Sequence, residues 1–268
     1  MSRDPKWIAF SVDLEPNKDD SLTGIREAME WYDETVPRGT IYTTYRIATE
    51  LPDVVAMLAD NHEIGVHVHP REFEHEHDQF ARLSAERQKE LIQTTREKLV
   101  DVTSLGIEDI VSFRAGRHSA NKETFDVLSD LGFQVDASIN VRYTNYLPDS
   151  LTKMNEPFHL DNGLLEIPTT YYRPSLLSCV GLRVFPQRNV TATASTLRTD
   201  TWFCSGTDAM SSLISSVDRI SMYMHPYDAT NHHINLKNNG TEFRERFNQL
   251  RSQIDLRFET ADDVSNIS

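Results

Sequence analysis

The chain has 268 residues, 38% of them apolar, and a formal charge of −14. That charge disfavours a phosphate-binding role resting on clustered Lys and Arg, so nucleic acid and anionic membrane surfaces are not expected partners. Two cysteines, Cys179 and Cys204, are too few for a disulfide framework.

Taken along the chain, strands and helices alternate. Residues 7–13 (WIAFSVD) form a short apolar run ending in an acid, which predicts a buried strand. A helix follows over 24–35, with Ile25, Met29 and Tyr32 on one face. Then come a strand over 40–45, a helix over 53–59 and a strand over 63–68. The clearest helix spans 84–100, opened by Ser84 and striped with Leu91, Ile92, Thr95 and Leu99. Beyond it, strands are expected at 110–113, 133–138, 164–169 and 220–224. Helices are expected at 121–131, closed by Gly132, and at 241–254. No linker or repeat interrupts the chain, so residues 1–268 read as one α/β domain. Its sheet or barrel should be mainly parallel, with the site at the strands' C-terminal ends. No apolar run of about 18 residues predicts a membrane helix, and the N-terminus has no apolar signal core. A cytoplasmic location is the expectation. Asn189, Asn239 and Asn266 fit the glycosylation pattern but are read as chance matches.

Groups that could do chemistry stand at the ends of five strands. In Ser11-Val12-Asp13-Leu14-Glu15-Pro16 the two acids lie two apart, so extended chain turns them the same way. Two such carboxylates repel unless a cation or proton lies between them; otherwise the segment is a solvated turn. In His62-Glu63-Ile64-Gly65-Val66-His67-Val68-His69-Pro70, His67 and His69 share a face. Imidazoles so placed suit zinc, whose nitrogen ligands lie about 2.0–2.1 Å away. His62 precedes the strand and reads as structural, whereas His75 and His77 fall in an acidic run, 72–78, expected to be a solvated loop. Ser112-Phe113-Arg114-Ala115-Gly116-Arg117 ends a strand in arginines, which need acids or an anion. Val135-Asp136-Ala137-Ser138 and Met222-Tyr223-Met224-His225-Pro226 complete the set. Together they indicate a metal hydrolase.

The order SVDLEP, HEIGVHVHP, FRAGR, VDAS and YMHP, with LLEIP at 164–168, resembles the five motifs of the polysaccharide deacetylase family, the NodB-homology domain. The resemblance implies an irregular, partly open β/α barrel of about seven strands. It implies a divalent metal, usually zinc, held by one acid and two histidines, and a metal-bound water that attacks an acetamide. Carried over, Asp13 is the base, Glu15 and His67 are metal ligands, Arg114 orients Asp13, and His225 protonates the leaving amine. Asp136 is the expected carboxylate that keeps His225 charged. The implied substrate is an N-acetylated sugar or glycan precursor.

Two departures stand out. Leu14 occupies the place where the commonest first motif has a second aspartate, so Glu15 must replace it. The family's second histidine usually lies four residues after the first. Here that position is Arg71, which cannot ligate a cation. Either His69 takes over or the site is weakened or lost. Other readings are a hydrolase of ureides or cyclic imides on the same scaffold, and a glycan-binding relative without activity. Tyr171, Tyr172, Trp202 and Phe203 are aromatics that either stack on a sugar or belong to the core.

Overall fold

The computed structural model describes residues 5–172, 189–200, 204–231 and 240–266. Arg173, Pro174, Cys179, Trp202, Phe203 and Asn239 lie outside them. One curled sheet organises the described residues. Its strands are β1 (Lys6–Leu14), β2 (Thr40–Thr43), β3 (Glu63–Val68), β4 (Ser112–Ala115), β5 (Val135–Asp136), β6 (Phe158–His159) and β7 (Leu165–Glu166). A small hairpin, β8 (Tyr171–Tyr172) with β9 (Val190–Thr191), stands apart, and β10 (Arg219–Met224) and β11 (Leu256–Glu259) return to the sheet. The spatial order is β10-β1-β2-β3-β4-β5-β7-β6. The first seven are parallel, β6 is an antiparallel edge, and β11 runs parallel to the start of β1. This is the partly open β/α barrel expected. Past β7, the Thr170 N–H donates to Ser221 C=O of β10 at 3.0 Å, so the sheet's two ends approach one another.

Helices cover the outside: α1 (Ile25–Thr35), α2 (Tyr45–Glu50), α3 (Pro52–Ala59), α4 (Ala85–Val102), α5 (Lys122–Asp130), α6 (Ala194–Arg198), α7 (Gly206–Ser215), α8 (Gly240–Gln253) and α9 (Ala261–Ser265). None is long and apolar enough to cross a membrane. Residues 8–14 of β1 are buried on both faces, which a strand between helices and barrel interior must be. The period of two then sorts its side chains. Phe10 packs outward on Tyr32 of α1 and Phe247 of α8, with ring centroids 5.4 and 4.9 Å away. Ala9 and Ser11 instead line a narrow interior void of about 10 Å³ with Thr40, Tyr42, Arg114, Ala137, Ile167 and Ser221. Continuing that interior column upward carries Asp13 and Glu15, His67 and His69, and Tyr223 and His225 to one rim.

Several boundaries differ from the sequence expectation. The third-motif strand is Ser112–Ala115 rather than 110–113, because Val111 C=O already accepts from Gln134 and Val135 N–H and holds the turn below it. The strand expected over 40–45 stops at Thr43, since Thr44 Oγ1 caps α2 by accepting from Ile47 N–H at 3.4 Å. The fourth-motif strand shortens to Val135–Asp136, although Ala137 N–H still donates to Phe113 C=O at 2.9 Å. The Ser84 cap on α4 is present, with Oγ accepting from Arg87 N–H at 3.4 Å.

Candidate metal and active site

Glu15, just past β1, meets His67 and His69 at the top of β3. One donor atom from each lies within 4.8 Å of the others. His69 Nε2 is 2.7 Å from Glu15 Oε2 and 3.2 Å from His67 Nε2, and His67 Nε2 is 3.6 Å from the same carboxylate oxygen. Each imidazole is held from behind. His67 Nδ1 donates to Arg114 C=O at 2.7 Å, an outcome of the His67–Arg114 register between β3 and β4. His69 Nδ1 bonds Asp78 Oδ2 at 2.9 Å. Both Nε2 atoms are thereby turned to one point, the arrangement in which outer carboxylates and carbonyls orient metal-binding histidines.

This donor set fits a divalent metal. Two imidazole nitrogens 3.2 Å apart beside a carboxylate crowd together favourably only around a proton or a cation. Burial alone would lower His69 and raise Glu15. The attraction between them, with Asp78, outweighs it: His69 sits well above the usual imidazole range and Glu15 well below the carboxylate range. A cation entering must displace that proton. Of the two possibilities left by Arg71, the geometry favours His69 in the ligand set. Arg71 is exposed, and only its backbone N–H approaches the site, 3.5 Å from Asp78 Oδ1. Gly116 makes this packing possible, because a Cβ there would meet Val68 O at 2.6 Å and His69 Cδ2 at 2.9 Å.

Beside this cluster Arg114 Nη1 donates to Asp13 Oδ1 at 2.5 Å, both side chains almost wholly buried. Arg114 Nε donates to Ala137 C=O at 2.9 Å, and its guanidinium lies over the Tyr42 ring at 4.2 Å. Burial pushes the Asp13 carboxyl up, but Arg114, His67 and His225 together bring it below the usual range, so it stays ionised. His225 Nε2 lies 4.0 Å from Asp13 Oδ2 and 3.5 Å from Glu15 Oε1. Its ring stacks on Tyr227, centroids 4.6 Å apart.

The expected partnership of Asp136 with His225 is corrected. Asp136 is fully buried in a different cluster, where Oδ1 accepts from Ser138 Oγ at 2.6 Å and the carboxyl pairs with Glu166. Burial raises both carboxyls, Glu166 well above its usual range, so the pair holds a proton between them. The carboxylate serving His225 is Asp228, three residues on. Its Oδ2 accepts His225 backbone N–H at 2.9 Å and lies 3.5 Å from Nδ1, while Oδ1 pairs with Arg198 at 2.6 Å. Burial would lower His225, but Asp228, Glu15 and Asp13 raise it overall.

The sequence reading passed over four other residues. Asp78 was assigned to a solvated run, yet it is buried and anchors His69. Arg198 and Asp228 carry no spacing signal, since one lies on α6 and the other after β10. His118 directly follows FRAGR. Its Nδ1 donates to Ser138 C=O at 3.1 Å, its Nε2 faces the Asn140 amide at 3.5 Å, and burial lowers it to about 3. His62, by contrast, is structural as expected, bonded to Asp33 at 3.1 Å. Within 72–78, His75 Nε2 accepts from Arg87 Nε at 3.0 Å, so part of that run is tied to α4.

A rim of strand ends bearing an acid, two histidines, a buried Asp–Arg pair and a further histidine defines a barrel hydrolase. The family model for polysaccharide deacetylase matches residues 4–135. That stretch holds SVDLEP, HEIGVHVHP and FRAGR; YMHP lies beyond it and is brought to the same rim by β10. Residues 4–135 therefore resemble the polysaccharide deacetylase family in sequence, and the likeness of the chain to the solved structures that follow is one of fold. A solved structure assigned as a polysaccharide deacetylase from Mycobacterium smegmatis is 15% identical with a TM-score of 0.64, covering 99% of this chain and 91% of its own. A family 4 carbohydrate esterase from Bacillus anthracis is 14% identical with a TM-score of 0.52, covering 100% and 86%. A pseudoenzyme of the same esterase family, also from Bacillus anthracis, is 11% identical with a TM-score of 0.53, and 65% of that longer chain is covered. No curated protein sequence matches significantly.

Proposed function

We propose that the protein hydrolyses the acetamide of an N-acetylated sugar, using one divalent metal, zinc by preference, held by Glu15, His67 and His69. The observation carrying this reading is that these three donors converge beside a buried, ionised Asp13 and a His225 held by Asp228. When bound, the metal lowers the pKa of water and polarises the carbonyl. The chain's own residues do the rest. Asp13, kept ionised and oriented by Arg114, takes the proton from the attacking water. His225, kept charged by its carboxylates, gives a proton to the departing amine, which is a poor leaving group until protonated. An inactive, glycan-binding reading is disfavoured because Arg71 lies outside the ligand set and His69 inside it. Glycan substrates are further supported by a solved structure of like fold, described as a peptidoglycan N-acetylglucosamine deacetylase, with a TM-score of 0.54.

The test is acetate release from N-acetylglucosamine and its oligomers by the zinc-loaded protein. His225→Ala should keep the metal and lose about 10²–10⁴-fold in kcat. Loss of metal with the side chain would make His225 a ligand instead. Ammonia or a carbamoyl product from a ureide, with no acetate from any sugar, would replace the substrate class.

A further inference from the structure

The short helix α6 is fastened to the strand that carries His225. Thr193, which caps α6, forms a parallel bridge with Tyr223 of β10, and Tyr223 N–H donates to Ala192 C=O at 3.3 Å. From the last turn of α6 Arg198 reaches Asp228, with Nη1 2.6 Å from Oδ1 and both side chains 6% exposed. Other arginines of the fold act as struts, donating to backbone carbonyls: Arg96 to Leu131 and Ile107, Arg244 to Ala229, and Arg251 to Thr35. Arg198 differs. Among the described residues its Nε meets no acceptor, and Asp228 is its carboxylate partner. A buried ion pair is a poor way to gain stability, because desolvating both charges offsets their attraction. The pair therefore calls for a reason other than packing.

Asp228 uses its two oxygens differently. Oδ1 is taken by Arg198, whereas Oδ2 accepts the His225 backbone N–H at 2.9 Å and lies 3.5 Å from His225 Nδ1. Burial pushes this carboxyl up, and the His225 contact and the Arg198 charge bring it below its usual range. With Oδ1 held, the carboxylate cannot turn, and Oδ2 stays against the imidazole. Tyr227 stacks on the same ring, centroids 4.6 Å apart. Held along an edge and across a face, the imidazole presents Nε2 toward Asp13 and Glu15. Proton delivery depends on such placement, and a displacement of about 1 Å can cost about 10²-fold.

We propose that Arg198 is a positioning residue, acting through Asp228 to hold His225 in place for proton delivery; this rests on the deacetylase reading, in which His225 serves the leaving amine. The test compares the full zinc-loaded chain with Arg198→Met, Asp228→Asn and the double variant, measuring zinc content, kcat and KM for acetate release from N-acetylglucosamine oligomers, and urea stability. Arg198→Met should keep its zinc and lose about 10–100-fold in kcat, with KM within about twofold. The double variant should lose no more than the worse single variant, in kcat and in stability alike, because both substitutions break one pair. Arg198→Lys, which keeps the charge, should recover most of the kcat that Arg198→Met loses. Losses in kcat that multiply in the double variant, a loss confined to KM, or no recovery with lysine would overturn the role of Arg198 in an active enzyme. Additive losses of stability would overturn the pair itself, with no activity needed to read them. No acetate from the wild type would instead overturn the deacetylase reading, and the role assigned to Arg198 with it.

Discussion

His118 makes a sharp prediction because its surroundings require the neutral ring. Nδ1 needs its hydrogen to reach Ser138 C=O, and Nε2 needs its lone pair to meet the Asn140 amide. Burial lowers the folded group to about 3, whereas an unfolded imidazole titrates near 6.5. Below that unfolded value the denatured chain takes up a proton that the native chain refuses, so stability is lost as pH falls from neutral toward the folded pKa. Between about pH 7 and pH 5 this single group should remove about 2 kcal/mol. His118→Asn keeps a donor for Ser138 and tolerates the left-handed backbone there, φ 52°, but does not titrate. It will be less stable at pH 7 through lost contact with Tyr143 and Tyr223. Urea denaturation of both proteins in chelator should show the gap between them closing by about 2 kcal/mol at pH 5. Groups common to both cancel in that difference. A gap unchanged within about 0.5 kcal/mol would refute a buried, permanently neutral His118.

Gly116→Ala should damage the metal site without touching a ligand. Its methyl would meet Val68 O and His69, and zinc titration should show affinity falling about 10–100-fold in a protein that remains folded by circular dichroism. Asp228→Asn should keep the hydrogen bond to His225 N–H while removing the charge that raises the ring. A general acid acts only while protonated, so the high-pH limb of the kcat profile should move to lower pH, with activity lost above it. A profile fixed in place would take Asp228 out of His225's control.

The barrel was legible because its signals are local. Phe10, Val12 and Leu14 alternate with Ala9, Ser11 and Asp13, and that period alone puts Asp13 inside. His67 and His69 gave the second pair of donors by the same rule, with Pro70 marking the strand end. What could not be read depends on contacts between distant segments. Asp78 lies in a charged run, and only the fold turns it under His69. Asp136 sits at the right strand end, yet Glu166 on the adjacent β7 takes it as partner, leaving His225 to Asp228. C-terminal β11 was missed because Leu256–Glu259 offers neither a long apolar run nor a clean turn before it, and pairing with β1 creates the strand.

The most direct test of the account is metal stoichiometry in the full chain at neutral pH, by elemental analysis after zinc loading and gel filtration. One zinc per chain is expected in the wild type, one in Arg71→Ala, and none in His69→Ala, with acetate release following the metal in each. Zinc retained by His69→Ala, or lost from Arg71→Ala, would contradict a site built from Glu15, His67 and His69.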